Sequence, residues 1–213
     1  MTAAAVTGVR FVLSNFAEPS RWEETAQWYD TYARRLSDPG RLGRSQRLEN
    51  ARAAGTESDP RLLAVYDILD ADPSDAWPAT EASERYPRDL FAAEPAQFVH
   101  AALRGSWTLV GRRGGDFEAD AQRAGLLVLL SENGDDTARA AFEQAMIETG
   151  VVASSARWRL IEGFPDARGW LETFEIVSGD PASALERTAH VARPDGADYG
   201  YAAVFTPIIR SEK

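Results

Sequence analysis

The chain has 213 residues, of which 23 are basic and 33 are acidic, so its net charge near neutral pH is −10. This charge repels nucleic-acid phosphates and anionic membrane surfaces, and we therefore expect neither nucleic acid nor a membrane as a partner. The chain has no cysteine, which excludes disulfides, thiolate nucleophiles and cysteine metal sites. The first ten residues lack the pattern of a signal peptide, and no apolar run approaches the ~20 residues of a membrane span. These observations predict a cytoplasmic protein.

The first half of the chain opens with a strand and a helix. Residues 9–15 form an apolar run that predicts a buried strand. Ser20 and Glu23 have the spacing of a capping box, so a helix is expected to begin there and to end before the turn residues 37–40. Two further strands, separated by a polar stretch, are predicted as an antiparallel hairpin; they are residues 44–51 and 61–69.

Prolines shape the next segment. Asp72 is a plausible N-cap, and Pro73 follows at the first helical position, where its missing backbone donor costs nothing. Three more prolines between residues 78 and 98 predict a broken connection rather than one clean helix. Residues 106–111 supply a fourth strand. The first half therefore has the order β-α-β-β-α-β, which is the order of ferredoxin-like domains.

The second half repeats this order. Residues 11–15 read FVLSN and residues 128–132 read VLLSE, and a helical pattern follows each run. This internal repeat is too long for a solenoid and indicates a duplicated domain. The predicted elements are strand 125–132, helix 137–149, strands 156–163 and 169–177, helix 181–192 and strand 200–208. We expect an α+β protein of two ferredoxin-like domains, residues 1–117 and 118–213, that together form an intramolecular α/β barrel.

The two halves differ in one connection. The first half is 13 residues longer between Asp72 and Gly105 than the second half is between Asp180 and Gly200. The extra residues lie within 78–105. Irregular additions to a regular scaffold often carry function, so we expect the pocket of the first domain here.

The first helix resembles that of EthD-like members of the dimeric α/β-barrel superfamily. Residues 28–36 read WYDTYARRL, and those relatives typically read Trp-Tyr-Asp, one variable residue and a histidine pair. Here Tyr32 and Ala33 occupy the places of the histidines. Residues 62–67, LLAVYD, are similar to the third strand of the superfamily, in which aliphatic residues precede a tyrosine and an acid.

The resemblance implies a pocket between helices and sheet in each half. Relatives use such pockets for cyclisation or dehydration of polyketides, cofactor-independent oxygenation, lactone isomerisation or haem degradation, while others have no assigned activity. Because one fold serves several chemistries, the resemblance does not select among them. The missing histidine pair argues against a histidine-dependent mechanism at this helix, although a tyrosine can still donate a proton.

The chain has two histidines, His100 and His190. His190 lies opposite the apolar face of its predicted helix and is expected on the surface. His100 lies in the longer connection beside Phe98, Ala101 and Ala102, and burial there would keep its imidazole neutral and able to accept a proton. We therefore predict His100 as a catalytic residue, with an ordinary core or surface histidine as the alternative.

Tyrosines and other aromatic residues complete the predicted site. Tyr32 lies at the edge of the apolar stripe of the first helix, and Tyr66 could face the same space from the third strand. Both are predicted catalytic residues that orient or protonate oxygen atoms, although a buried tyrosine is often ordinary core. An aromatic lining that holds a flat hydrophobic ligand is predicted from four further residues, for which core packing is the alternative: Trp28, Trp77, Tyr86 and Phe91.

These patterns favour a small cofactor-independent enzyme acting on a hydrophobic, aromatic or polyketide-type substrate as a cyclase, dehydratase or monooxygenase. No residues have the spacing of a metal, nucleotide or triad-hydrolase site, so no cofactor is expected. One alternative is a non-catalytic ligand-binding or scaffold barrel with filled half-domains. Another is a haem-binding or haem-degrading protein with His100 as the ligand. We expect a small-molecule partner and either a monomer, as a pseudo-dimer, or a weak homodimer.

Overall fold

The structure, a computed structural model, describes residues 5–36, 41–50, 52–56, 58–114, 125–163, 167–176, 181–194 and 196–208. Within these residues, the strands are β1 (Gly8–Phe16), β2 (Leu42–Glu49), β3 (Leu62–Ile68), β4 (Val99–Gly114), β5 (Gly125–Ser131), β6 (Val152–Gly163), β7 (Trp170–Ile176) and β8 (Tyr199–Pro207). The α-helices are α1 (Trp22–Leu36), α2 (Pro73–Ala82), α3 (Arg88–Phe91), α4 (Asp136–Glu148) and α5 (Ala184–Thr188).

The strands form a closed barrel in the order β1-β3-β2-β8-β5-β7-β6-β4. Within this ring, the strands of the first half lie in the order β4-β1-β3-β2, and those of the second half lie in the order β8-β5-β7-β6. Both are the same order, fourth-first-third-second, and each half has the predicted β-α-β-β-α-β sequence of elements. The predicted α+β barrel built from two ferredoxin-like repeats is therefore confirmed.

The chain divides into two compact units. Unit 1 comprises residues 1–47, 51–108 and 161–166, and unit 2 comprises residues 48–50, 109–160 and 167–213. Strands β2, β4 and β6 thus each contribute residues to both units. The predicted boundary between residues 117 and 118 lies outside the described residues and stays a prediction.

Local sequence signals predict the limits of most elements to within a few residues of those observed. The Asp72 side chain accepts a hydrogen bond from the Ser74 amide at 2.9 Å, which confirms the N-cap of α2. Segment 73–98 is broken into α2, α3 and a 3₁₀ turn, as predicted, but Pro78 lies inside α2 and does not end that helix. Three element limits differ from the prediction. A 3₁₀ turn, Pro19–Arg21, precedes α1, which begins at Trp22; α5 ends at Thr188; and β4 begins at Val99.

The core of unit 1 lies around β1, β3 and β4. Phe11 and Trp107 are fully buried, and their rings meet edge to face with centroids 6.1 Å apart. The core of unit 2 lies between α4 and the β5–β7 pair, where Phe142 packs edge to face against Phe174 at 5.8 Å. In the described part of the chain, no helix is long and apolar enough to cross a membrane.

Unit 2 also buries charged side chains beside α4. Arg139 and Glu172 are both fully buried and form an ion pair at 2.8 Å. Glu143, which is 1% exposed, accepts a hydrogen bond from Arg157 at 3.3 Å. Burial raises the pKa of Glu143 to about 7, although Arg157 opposes this shift. The folded state therefore favours the protonated form of Glu143.

This raised pKa predicts that Glu143 makes folding stability depend on pH. Because the folded protein binds a proton that the unfolded chain releases near pH 4.5, the free energy of unfolding should fall as pH rises from about 4.5 to 7. In Glu143→Gln the decline should be smaller by about 1–3 kcal/mol. Urea denaturation of both proteins at pH 5, 6, 7 and 8 measures the difference, and parallel profiles would contradict the assignment.

Candidate functional site

Unit 1 contains a cavity of about 390 Å³, a volume suited to a small organic ligand. Helix α1 and strands β1, β3 and β4 supply one part of its lining, and the longer connection supplies the rest. The lining residues are Arg10, Val12, Trp28, Tyr29, Tyr32, Leu36, Tyr66, Trp77, Glu81, Tyr86, Phe91, Ala96, Val99, Ala101 and Arg104. The predicted insertion therefore does contribute to a cavity in the first half.

Aromatic rings form a continuous wall of this cavity. Trp28 and Tyr32 lie one turn apart on α1, and their rings stack with centroids 5.5 Å apart and planes 6° apart. Phe91 meets Tyr32 edge to face at 5.0 Å and stacks on Tyr86 at 5.7 Å. Tyr86 in turn contacts Trp77 at 6.3 Å. Such a wall suits a flat aromatic ligand.

The tyrosine hydroxyls of the cavity are held in the protonated state. The Tyr66 hydroxyl donates to that of Tyr29 at 3.4 Å, and Tyr32 shares a hydrogen bond with Tyr86. Burial raises the pKa of all four tyrosines, most strongly for Tyr32 and Tyr66. They can therefore donate hydrogen bonds to a ligand, but they are poor bases at neutral pH.

A buried arginine lies beside the tyrosines. Arg10 is 6% exposed, and its Nη1 atom donates to Ser106 Oγ and to Glu162 Oε1, each at 3.0 Å. The guanidinium carbon also lies 3.5 Å from the ring centre of Trp77, which is a cation–π contact. Burial lowers the pKa of Arg10, and the Glu162 carboxylate partly offsets this effect.

Glu81 is the carboxylate that the described residues contribute to the lining of this cavity. The indole Nε1 of Trp77 donates to Glu81 Oε1 at 2.7 Å, so the carboxylate is oriented by the residue one turn before it on α2. A second indole is fixed in the same manner, because Trp28 Nε1 donates to the backbone oxygen of Leu90 at 3.0 Å. The first bond lies within α2, and the second joins α1 to α3.

Six of the seven predicted site residues line this cavity, and one does not. The six are Trp28, Tyr32, Tyr66, Trp77, Tyr86 and Phe91. His100 is exposed and lines a separate and more polar cavity with Asn15, Pro19 and Gly55. The structure therefore does not place His100 near the tyrosines, and its predicted burial in an irregular connection is wrong.

Strand β4 explains the position of His100. This strand begins at Val99, so His100 pairs with Asn15 of β1 instead of lying in a loop. The pairing of β1 with β4 shifts register between Leu13 and Ser14. Successive strand residues point to opposite faces, and the neighbouring Val99 and Ala101 line the aromatic cavity while His100 does not.

Sequence reasoning missed four polar residues of the cavity: Arg10, Tyr29, Glu81 and Arg104. Arg10 carried a usable signal, since a charged residue inside an apolar strand is expected only where partners compensate its burial. Tyr29 belongs to the WYD motif and lies one turn before Ala33. Glu81 and Arg104 lie in segments whose tertiary placement local patterns do not reveal.

Unit 2 contains a cavity of about 550 Å³ beside α4 and α5. Its apolar part includes Leu127, Leu129, Phe142 and Met146, and its basic residues are His190 and Arg193. His190 follows α5 and is exposed, as predicted for a surface position. Among the described residues, no group of three His, Cys, Asp or Glu side chains is arranged to hold a metal ion.

No protein-family model matches the chain, and no curated protein matches it. Several solved structures do match it in fold. An anthrone oxidase-like protein aligns with a TM-score of 0.54 and 9% identity over 98% of this chain and 94% of its own. A haem-binding protein from Thermus thermophilus aligns with a TM-score of 0.56 and 13% identity, over 95% and 91% of the two chains. Chlorite dismutase from Candidatus Nitrospira defluvii aligns with a TM-score of 0.59 and 8% identity over the same shares.

These likenesses define a class of fold. The chain shares an α+β barrel fold with these three proteins, and each likeness extends over nearly the whole length of both chains. At 8–13% identity, a shared fold does not carry an activity from one protein to another. Function must therefore be argued from the cavities themselves.

Proposed function

We propose that this protein is a small cofactor-independent enzyme that acts on a planar aromatic or polyketide-type substrate in the cavity of unit 1. The single observation that carries the proposal is the lining, which combines contacting aromatic rings, protonated tyrosine hydroxyls and a buried guanidinium in one cavity. The aromatic wall would hold the rings, and the polar groups would bind oxygen atoms. A fold relative described as anthrone oxidase-like supports this choice of substrate.

Proton abstraction next to a carbonyl is the chemical step that this lining supports. The Glu81 carboxylate would accept a proton from the carbon next to a carbonyl of the substrate. The electron pair of that C–H bond would form the C=C bond of an enolate, and the π pair of the carbonyl would move onto its oxygen. Tyr32 and Tyr66, which burial keeps protonated, would donate hydrogen bonds to this oxygen once it replaces Tyr86 and Tyr29 as their acceptors. Cyclisation, dehydration and oxygenation can each proceed from such an enolate.

A ligand of this class is expected to raise the melting temperature, because it binds the folded state alone. We expect a polycyclic phenol, anthrone or quinone from a panel of aromatic compounds to raise it, whereas aliphatic lactones of similar size should not. Trp77→Ala removes one ring of the wall and should weaken the shift, while Val110→Ala, a change at an exposed residue of unit 2, should leave the shift intact. A panel without any selective rise would contradict a cavity built for aromatic ligands.

The non-catalytic scaffold alternative predicts filled half-domains. The described residues instead surround cavities of about 390 Å³ in unit 1 and about 550 Å³ in unit 2. Ligand binding is therefore favoured over a purely structural role. Turnover of a bound ligand, followed by its absorbance and by oxygen consumption, separates an enzyme from a ligand-binding protein.

Haem in the cavity of unit 2 is a second candidate, because the lining of that cavity combines apolar side chains with the basic residues His190 and Arg193. Leucine and phenylalanine side chains would contact the porphyrin, His190 would coordinate the iron, and Arg193 would pair with a carboxylate of the haem. Haem, when bound, supplies redox and oxygen chemistry. The cavity at His100, by contrast, is lined by Asn15, Pro19 and Gly55 among others. Its described lining residues include one aromatic side chain, Phe16, and no arginine.

Titration with haemin tests this candidate directly. A Soret band that shifts on binding is expected in the wild-type protein and in His100→Ala, and it should be lost in His190→Ala. Retention of the band in His190→Ala would exclude that residue as a ligand of the iron. Absence of any shifted band in the wild-type protein would remove the haem candidate while leaving the unit 1 proposal untouched.

A further inference from the structure

The two units differ in polarity at three positions that the strand register makes equivalent. In unit 1, Arg10 of the first strand pairs with Tyr66 on one side and with Ser106 on the other. The equivalent first strand of unit 2 carries an apolar residue, whose partners on the same two sides are also apolar. These residues are Leu127, Phe174 and Val204.

The apolar set shows what the repeated fold alone requires at these positions. Leu127 is 1% exposed and Phe174 is fully buried, and both belong to the core of unit 2. In unit 1, the same positions bury a guanidinium, which loses hydration that its partners must replace. The three polar residues of unit 1 are therefore not needed to build the barrel. Polar groups whose burial costs free energy are characteristic of functional sites.

A second arginine adds to the positive charge. Arg104 lines the same cavity and lies opposite Val12, two residues along β1 from Arg10. The proximity of the two guanidiniums contributes to the lowered pKa of Arg10. The repulsion between two like charges at a cavity is offset when an anion binds between or beside them.

The hydrogen-bonding groups of the cavity are mostly donors. The arginines have no acceptor atom, and the neutral tyrosines present hydroxyl protons. The carboxylate among the lining residues, Glu81, already accepts the Trp77 indole proton. Glu162 binds Arg10 from a side chain that is 42% exposed, so solvent screens its charge. A complementary ligand must therefore bring acceptor oxygens and negative charge.

We propose that the unit 1 cavity selects acidic ring systems, namely phenols or enols bound as their oxyanions, with Arg10 as the residue that determines this specificity and Glu162 as the residue that positions Arg10. This inference rests on the proposed function, because it names the substrate class of the same site. It also assigns the selectivity to unit 1 alone, because unit 2 carries Leu127 and Phe174 in place of the polar pair.

A matched pair of probes tests the selectivity without any substitution. Calorimetric titration at pH 7 compares 2-hydroxy-1,4-naphthoquinone, which is ionised, with 2-methoxy-1,4-naphthoquinone, which has the same rings and no acidic proton. A charge-assisted hydrogen bond to Arg10 should make the hydroxy compound bind at least about tenfold more tightly. Equal affinities for the two compounds would overturn this inference, while the proposal that the cavity binds aromatic ligands would still hold. If neither compound binds, the inference and the proposed site both fail.

Substitutions then assign the selectivity to residues. Arg10→Leu, which installs the residue of unit 2, should reduce the preference to about twofold or less while the methoxy compound binds as before. Arg104→Gln, at an exposed side chain, should reduce it in part and serves as the second variant if Arg10→Leu does not fold. Arg187→Leu removes the same charge from the exposed face of α5 and should change nothing. An unchanged preference in both cavity variants would overturn the assignment.

Two substitutions of Glu162 test whether this residue positions Arg10. Glutamine can still accept the hydrogen bond from Arg10 Nη1, so Glu162→Gln should keep the full preference for the hydroxy compound. Glu162→Ala removes the acceptor and should lose most of that preference, with little effect on the methoxy compound. If both variants weaken both compounds equally, Glu162 is merely structural and its positioning role is rejected.

Discussion

Replacement of Glu172 by alanine is expected to lower the free energy of unfolding by about 3–5 kcal/mol, because it leaves a fully buried guanidinium without its counter-charge. Arg139 and Glu172 are both 0% exposed and lie 2.8 Å apart. The remaining contacts of Arg139, with Ser131, the Asn133 carbonyl and the Trp170 ring, are neutral and do not replace a carboxylate. Tyr199 would also lose the acceptor of its 2.6 Å hydrogen bond.

An exposed ion pair in the same unit provides the control. Glu132 pairs with Arg168, and their side chains are 55% and 32% exposed. Because solvent screens such a pair, Glu132→Ala should cost at most about 1 kcal/mol. Urea denaturation at pH 7, with both variants compared with the wild-type protein, measures the two changes. A loss of less than about 1 kcal/mol in Glu172→Ala would show that the buried pair does not hold α4 on its sheet.

The second large effect is expected from Tyr32→Phe, which should reduce kcat by about 100-fold on the substrate that the thermal-shift panel identifies. The substitution keeps the ring that stacks on Trp28 and contacts Phe91, and it removes only the hydroxyl. Burial keeps that hydroxyl protonated, so it would donate to the substrate oxygen as negative charge develops there. Binding of the aromatic rings, and hence KM, should change little.

His100→Ala is the matched test of the residue that sequence reasoning favoured. His100 lies in a separate, more polar cavity, so its removal should leave kcat within about twofold of the wild-type value. Initial rates over a range of substrate concentrations give kcat and KM for both variants. A large loss in His100→Ala together with an unchanged rate in Tyr32→Phe would move the active site away from the aromatic cavity.

Local patterns in the sequence predict the order of the elements and the duplication of the domain. Strand alternation, caps and proline positions are local signals, and they placed β1, β3 and α4 within one or two residues of their observed limits. The repeat of FVLSN as VLLSE indicated that both halves share one topology. Aromatic residues near one helix and one connection also sufficed to find most of the cavity lining, because flat hydrophobic side chains cluster away from water.

Which polar groups meet in the cavity depends on the tertiary structure. Local patterns predict a loop at His100, because they do not reveal that β4 begins at Val99, where pairing with β1 extends the strand. Arg10 could not be linked to Glu162, because 152 residues of chain separate them. Burial of a charge depends on partners that are distant in sequence, whereas strand and helix signals depend on neighbours. For that reason the fold followed from local patterns, while the electrostatics of the site emerged only from the folded barrel.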